Sequence, residues 1–231
     1  MIELERDGEV FVLRMKGGEN RINQPFLDEL DSALDEVEAS EGGAALVTTG
    51  EGKFYSNGLD LAWAAGRSAD EVRQAMAGMH ALFARLLTFP MATVAAVNGH
   101  AFAAGAMLAL AHDFRVMRAD RGYVCFPEID LATGLPLTPA MYALLAARLS
   151  PAIAHEALIT GQRYTGGEAV ARQMVHEALP EADVLPRAID LARGLANKHR
   201  ASMAALKRGM FTTALEMLSQ PVPEFVTGGR G

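Results

Sequence analysis

Two short stretches decide the fold of this chain: Phe54-Tyr55-Ser56-Asn57-Gly58-Leu59-Asp60-Leu61 and Asn98-Gly99-His100-Ala101-Phe102-Ala103-Ala104-Gly105-Ala106-Met107. Each contains glycine and follows an apolar run that is typical of a β-strand, at 44–49 and 93–97. A glycine-containing loop can present a bare backbone N–H to a ligand, since no side chain obstructs the approach. Two such N–H groups and one carboxylate would suit proton abstraction beside a thioester carbonyl. A candidate carboxylate, Glu128, follows in Phe126-Pro127-Glu128-Ile129.

The spacing of apolar residues predicts an α/β architecture. Strand-like runs at 10–15, 44–49, 93–97, 114–117 and 123–126 alternate with helical patterns at 24–37, 69–87 and 103–112. In such folds, ligands bind at the carboxyl ends of the strands. Both quoted stretches begin at such ends.

From Pro139 onward the sequence predicts almost only helices. We expect a core of residues 1–184 that holds the ligand site, and a helical region of residues 185–231 for packing or oligomerisation. Apolar positions repeat along this last region (Leu191, Leu195, Leu206, Met210, Leu215, Leu218) and predict more apolar surface than one core needs. The Pro- and Gly-rich tail from Pro221 is expected to fray.

Composition limits the partners. The chain has 231 residues, is half hydrophobic and carries a net charge of −7, which argues against nucleic acid and anionic membranes. The single cysteine, Cys125, excludes an intrachain disulfide and fits a reducing compartment such as the cytoplasm. Cys125 could be a nucleophile, but a buried, inert thiol is the simpler interpretation. The six histidines show no metal-binding spacing, so no metal is expected.

The two stretches, together with His112-Asp113 and Glu128-Ile129-Asp130-Leu131, resemble the crotonase (enoyl-CoA hydratase/isomerase) superfamily. Within it, the chain is most similar to monofunctional Δ3,Δ2-enoyl-CoA isomerases of plant type. The resemblance implies a crotonase (ClpP-like) fold of repeated ββα units, an acyl-CoA thioester ligand, no cofactor besides the coenzyme A of the substrate, and a homotrimer or hexamer.

The resemblance also assigns roles to individual residues. The backbone N–H groups of Leu59 and Ala104 match the family's oxyanion hole, and Glu128 matches the single acid/base of its isomerases. Hydratases of the family use a further glutamate, whose position here is Met107. The implied reaction is therefore isomerisation of a 3-enoyl-CoA to the 2-trans-enoyl-CoA. The alternatives are a hydratase or another CoA-thioester enzyme, and a catalytically poor acyl-CoA-binding protein.

Other residues are candidates for holding the substrate: Arg21, Asn57, Gly58, Trp63, Met107 and Lys207. Met107 could line an acyl pocket or pack only in the core, and the same two interpretations apply to Met76 and Met79. Arg21 and Lys207 match family positions near the CoA nucleotide, yet each could equally be a solvated surface charge. Glu128 by position alone could be a surface residue at a strand end. For Asp60 and Asp130, structural hydrogen bonds are the favoured interpretation.

Overall fold

A computed structural model describes residues 1–131 and 137–224. Its strands are β1 (Ile2–Asp7), β2 (Val10–Met15), β3 (Ala45–Gly50), β4 (Phe54–Ser56), β5 (Ala92–Val97), β6 (His100–Phe102), β7 (Phe114–Arg118), β8 (Val124–Cys125) and β9 (Glu177–Leu179). Its α-helices are α1 (Gln24–Ala39), α2 (Leu61–Ala65), α3 (Ala69–Leu87), α4 (Ala104–Leu110), α5 (Pro139–Arg148), α6 (Pro151–Thr160), α7 (Gly166–Ala171), α8 (Glu181–Arg193), α9 (Arg200–Met210) and α10 (Thr212–Leu218). A 3₁₀ turn spans Pro127–Asp130. The predicted α/β class is confirmed.

The strands form two sheets, and the chain alternates between them. The larger sheet has the order β1-β2-β3-β5-β7-β9 and the smaller one β4-β6-β8. Three successive units place one strand in the large sheet, the next in the small sheet, and then a helix or 3₁₀ turn: β3-β4-α2, β5-β6-α4 and β7-β8 with Pro127–Asp130. This is the predicted repetition of ββα units.

The large sheet has a hydrophobic cluster on each of its two faces. Successive residues of a strand point to opposite faces, so one strand contributes side chains to both clusters. On β2, Val10 and Val12 pack toward helix α8, while Phe11 and Leu13 join the main core on the other side. Helix α8 covers its face with Val184, Ala188 and Ala192.

Three predictions about the C-terminal third differ from the structure. The predicted boundary after residue 184 falls inside α8, so the core extends through this helix. Strand β9 was missed, since three residues are too few to show a period, yet it pairs with β7 at the sheet edge. Apolar spacing predicts one helix over 202–218, but the structure has two, α9 and α10, which meet at Phe211. The tail that we expected to fray lies outside the described residues from 225 onward.

The apolar surface of this region is smaller than predicted. Leu218 is buried, and Leu191, Leu195 and Leu215 are partly buried against the two cores. Only Leu206 and Met210, at 69% and 73% exposure, present large apolar side chains to solvent among the six predicted positions. Along the described ranges, no helix combines the length and the apolar character that a membrane crossing requires.

The small sheet determines where the site lies. Its three strands are parallel, so their carboxyl ends meet at one edge. Strand β4 leads to Gly58 and Leu59, β6 leads to Ala104, and β8 leads to Glu128. The three predicted catalytic segments therefore come together although up to about seventy residues separate them in sequence.

Candidate active site

A cavity of about 410 Å³ opens at this edge of the small sheet. It is lined by seven of the predicted site residues: Arg21, Asn57, Leu59, Trp63, Ala104, Met107 and Glu128. The eighth, Gly58, lies directly beside it: a Cβ atom placed on this glycine would be 3.2 Å from the Ala104 nitrogen. The two loops quoted at the outset are thus in contact, as a two-donor hole requires.

The first donor is the N–H of Leu59. The Leu59 N–H and the Gly58 carbonyl belong to the same peptide group. The Gly58 carbonyl accepts a hydrogen bond from the Ile22 N–H at 2.8 Å. Because C=O and N–H point in opposite directions across a trans peptide, this bond turns the Leu59 N–H away from Ile22. Gly58 has φ +77°, a conformation that side-chain-bearing residues rarely adopt. Within the described residues the Leu59 N–H has no acceptor, so it is available to a ligand.

The second donor is the N–H of Ala104, the first residue of α4. The Ala103 carbonyl of the same peptide accepts from the N–H groups of Ala106 and Met107. The Ala104 N–H therefore points out of the helix start, and no acceptor for it lies in the described part of the chain. Ala103 has φ +51° and ψ −125°, a strained conformation that costs an alanine ~1–3 kcal/mol. Such strain is tolerated where the surrounding structure imposes it, and it occurs often at active sites.

Glu128 lies in the 3₁₀ turn that follows β8 and begins at Pro127. Burial raises the pKa of its carboxyl from 4.5 to about 7, and its Oε2 atom has no hydrogen-bond partner within residues 1–131 and 137–224. A carboxyl with a pKa near neutrality can both take up and release a proton at physiological pH. The structure thus places Glu128 on the cavity wall and not on the open surface.

The raised pKa of Glu128 predicts a pH-dependent stability. An acid whose folded-state pKa lies above its unfolded value loses stability as pH rises from about 4.5 through about 7. Above that window the ionised Glu128 lowers the free energy of unfolding by ~3 kcal/mol, since a pKa difference of 1 corresponds to 1.36 kcal/mol. We therefore expect Glu128→Gln to unfold at a higher temperature than the wild type at pH 8, and at nearly the same temperature at pH 4.

Thermal unfolding followed by circular dichroism at both pH values measures this difference. Glu36→Gln, at an exposed position of α1, is the matched control and should show no such pH dependence. An equal melting temperature of Glu128→Gln and wild type at pH 8 would contradict the assigned burial of the carboxylate.

The inner wall of the cavity is apolar. Met107 is fully buried on α4 and faces the cavity, so no carboxylate stands at this position. Of the two methionines on α3, Met76 lines the cavity, whereas Met79 does not line it and packs in the core. Sequence reasoning missed Val72 and Ala75 on α3 and Met141 on α5, which also line it. The helical spacing of Val72, Ala75 and Met76 was the available signal.

Two further candidates have structural roles. The Cys125 Sγ donates to the Gly161 carbonyl at 3.2 Å, and burial raises its thiol pKa to about 11, so the thiol stays protonated and inert. Asp60 accepts from the Trp63 N–H at the start of α2 and from the Asn23 side chain. These are the structural hydrogen bonds that we expected for Asp60. Asp130 is exposed.

Lys207 requires a correction. It is 6% exposed, and its ammonium donates to the carbonyls of Phe89 and Met91 and to the carboxylate of Asp113. All three donors of the ammonium are thereby used inside the protein, and Lys207 does not line the cavity. We therefore remove it from the predicted CoA-binding set. Arg21 does line the cavity and pairs with Glu19 at the surface.

A positively charged side chain that sequence reasoning missed also lines the cavity. Arg163 is exposed, its guanidinium carbon lies 5.6 Å from the centre of the Phe102 ring, and it lines the cavity. In the described ranges, no group of three or more His, Cys, Asp or Glu side chains is arranged to hold a metal ion.

Comparisons with known proteins agree with this geometry. A sequence profile of the enoyl-CoA hydratase/isomerase family matches residues 5–222. Enoyl-CoA delta isomerase 3 of Arabidopsis thaliana is 39% identical over 206 residues, which cover 86% of this chain and 86% of that protein. Enoyl-CoA delta isomerase 2, peroxisomal, of the same plant is 35% identical, with 98% and 99% covered.

Among solved structures, an enoyl-CoA hydratase from Mycobacterium marinum superimposes with a TM-score of 0.86 at 28% identity, with 94% of each chain covered. The apo structure of an Mtb enoyl-CoA isomerase gives a TM-score of 0.86 at 27% identity, with 94% of this chain and 93% of that one covered. The predicted crotonase fold is confirmed, and the chain belongs to the enoyl-CoA hydratase/isomerase family.

Proposed function

We propose that this protein is an enzyme that isomerises 3-enoyl-CoA to 2-trans-enoyl-CoA. The observation that carries the proposal is one buried carboxylate, Glu128, sharing a cavity with the free N–H groups of Leu59 and Ala104. The names of the two Arabidopsis relatives support the same reaction. No cofactor is needed, since coenzyme A belongs to the substrate.

The reaction is a 1,3 proton shift. The Glu128 carboxylate takes a proton from C2, and the C2–H electron pair delocalises over C2–C4 and the thioester. The negative charge that develops on the thioester oxygen is stabilised by the N–H groups of Leu59 and Ala104. Protonated Glu128 then returns its proton to C4, and the new double bond is conjugated with the thioester. One carboxyl suffices, because the same group is first base and then acid.

The substrate would lie with its polar part at the mouth of the cavity and its acyl chain inside. Arg21 and Asn57 line the cavity, and Arg21 would supply a positive charge for the nucleotide phosphates. Trp63, Met76 and Met107 provide apolar walls for the acyl chain, and methionine adapts to chains of different shape.

Hydration is the main alternative, and Met107 argues against it. A thioether can neither deprotonate a water nor hold it as a carboxylate does. We expect negligible hydration of crotonyl-CoA, followed as loss of the absorbance of the conjugated thioester. A hydration rate comparable to the isomerisation rate would show that a second glutamate is not required.

The decisive experiment offers the protein a 3-enoyl-CoA and follows formation of the conjugated 2-enoyl thioester. Turnover supports the proposed isomerase. Tight binding without turnover would instead indicate an acyl-CoA-binding protein, and release of free coenzyme A would indicate a hydrolase.

We also propose that the protein forms a homotrimer, or a hexamer of two trimers. The exposed Leu206 and Met210 on α9, one helical turn apart, support an interface on this helix. Light scattering at micromolar concentration should give three or six times the mass of one chain, 24.7 kDa. A monodisperse monomer would contradict this.

A role in fatty acid metabolism and a cytoplasmic location are part of the proposal. One cysteine in 231 residues supports a reducing compartment. Cell fractionation with an antibody against the chain tests the location.

A further inference from the structure

A segment of residues 19–23, here called the strap, lies against the loop that carries the first N–H donor. Three backbone hydrogen bonds join the two: Asn57 N–H to Glu19 O at 2.9 Å, Ile22 N–H to Gly58 O at 2.8 Å, and Asp60 N–H to Ile22 O at 3.0 Å. Ile22 and Leu59 form a parallel bridge. The strap therefore determines where the Gly58–Leu59 peptide lies.

The side chain of Ser56 connects the strap to the preceding peptide, Asn57–Gly58. Its hydroxyl donates to the Asn20 carbonyl at 2.7 Å and accepts from the Gly58 N–H at 3.3 Å. Asn20 in turn donates from Nδ2 to the Tyr55 carbonyl at 3.0 Å. Ser56 and Asn20 are 0% and 1% exposed, so water does not replace these bonds.

Asn20 adds to the constraint through its backbone. It has φ +48°, an uncommon conformation that asparagine tolerates better than most residues. Its Oδ1 accepts from the Gly17 N–H at 2.8 Å, which closes the turn before the strap. The turn thus brings the Asn20 carbonyl to Ser56 and the Ile22 N–H to Gly58.

Gly58 is consequently held on both sides. Its N–H is bound by Ser56 and its carbonyl by Ile22, while the next N–H, that of Leu59, is left for the ligand. Glycine at φ +77° has no side chain to limit its rotation, so these two bonds fix its conformation.

We infer that Ser56, together with Asn20, is a positioning residue for the oxyanion hole. The inference rests on the proposed isomerase function, because it concerns the donor that stabilises the dienolate oxygen. Neither residue lines the cavity, so neither contacts the substrate. Ser56 acts through Gly58: it holds the Gly58–Leu59 peptide so that the Leu59 N–H points at the thioester oxygen.

The expected size of the effect follows from the geometry of such holes. Loss of one donor costs ~10²–10³-fold in rate, and a displacement of about 1 Å costs ~10²-fold. Removing the Ser56 hydroxyl loosens the donor without deleting it. We therefore expect Ser56→Ala to lower kcat by ~10–100-fold, with an unchanged Kd for a saturated acyl-CoA.

The matched control is Thr93→Val. Thr93 is also 0% exposed, and its hydroxyl also makes two hydrogen bonds, donating to the Asp113 carboxylate and accepting from the Asp113 N–H. It lies on β5 and not at the cavity. Both variants should lose stability, since each leaves buried polar groups unpaired. Only Ser56→Ala should lose kcat.

A second measurement separates positioning from general damage. The midpoint of kcat/KM against pH reports the ionisation of Glu128, and it should be the same in Ser56→Ala as in wild type. If Ser56→Ala does not fold, Ser56→Cys preserves the shape with a weaker hydrogen-bonding group, and its kcat should fall by a smaller factor.

The outcomes separate the inference from the proposed function. A wild-type protein with no isomerase activity overturns the function. An active wild type whose Ser56→Ala or Ser56→Cys variant turns over like Thr93→Val overturns the positioning role alone, as does a shifted pH midpoint. A selective loss of kcat supports both.

Discussion

Replacing Glu128 by glutamine should lower kcat for isomerisation by ~10²–10⁴-fold, the usual contribution of a general base. Glutamine has nearly the same shape, but its amide cannot take the C2 proton. The Kd for a saturated acyl-CoA should stay near the wild-type value, because the other residues that line the cavity, Arg21 and Asn57 among them, are unchanged. Conjugated product formation and direct binding measure the two quantities.

Asp130→Asn is the matched control for this prediction. Asp130 lies in the same 3₁₀ turn but is exposed and does not line the cavity, so its amide variant should turn over like wild type. Near-wild-type turnover of Glu128→Gln would remove Glu128 from the mechanism.

The wild-type pH profile adds an independent test. Since Glu128 must be ionised to act as a base, kcat/KM should rise with pH and level off above about 7, where its carboxyl titrates. A carboxylate with an ordinary pKa of ~4.3 would instead give a profile that is flat from pH 6 upward.

Replacing Ala104 by proline should lower kcat by ~10²–10³-fold, the usual effect of removing one oxyanion-hole donor. Proline deletes the N–H, which the described protein itself does not use. Ala104 is also the first residue of α4, the helical position that tolerates proline best. Binding of a saturated acyl-CoA should change far less than turnover, because Arg21, the proposed contact of the nucleotide, is unchanged.

Ala69→Pro provides the control, since it makes the same exchange at the same helical position. Ala69 is the first residue of α3, exposed and outside the cavity. Circular dichroism and oligomer size of both variants should match the wild type. A folded Ala104→Pro protein with normal turnover would exclude Ala104 as a donor. Gly58→Pro is a poorer probe, because φ +77° is inaccessible to proline and the whole loop would move.

Glu128→Gln and Ala104→Pro test two separate contributions to catalysis: transfer of the proton and stabilisation of the negative charge on the thioester oxygen. In the proposed mechanism Glu128 moves the proton, while the N–H groups of Leu59 and Ala104 lower the energy of the dienolate. Burial contributes to the first of these, because it raises the pKa of Glu128 to about 7. The predicted destabilisation of the protein by Glu128 above neutral pH is the thermodynamic cost of that burial.

Much of the fold could be predicted from local sequence patterns. Helix α3 was predicted with its bounds, Ala69–Leu87, because six apolar positions repeat at helical spacing. The capping box of Ser68 and Glu71 at its start is a finding of the structure. The start of α1 at Asn23 and Pro25 was equally local. Short elements such as β9 were missed, because pairing with β7 creates them and three residues carry no periodic signal.

Lys207 and Ser56 mark the limit of sequence reasoning at the site. Lys207 is a lysine on a predicted helix, and nothing near it in sequence indicates that Asp113 and two carbonyls of the 89–91 segment bind its ammonium. Ser56 stood in the quoted stretch without a role, because its partner Asn20 lies thirty-six residues away. Both roles depend on contacts between distant segments.

By itself, then, the sequence determined the α/β class and the two glycine loops, since both depend on neighbouring residues. That Met107 occupies the position of a hydratase glutamate is what the family resemblance implies. The tertiary structure decided the rest. Parallel pairing of β4, β6 and β8 brought Leu59, Ala104 and Glu128 to one sheet edge, and burial there raised the pKa of Glu128. The physical reason is that propensity and spacing act along the chain, whereas burial, hydrogen-bond partners and electrostatic environment are set by residues that only folding brings together.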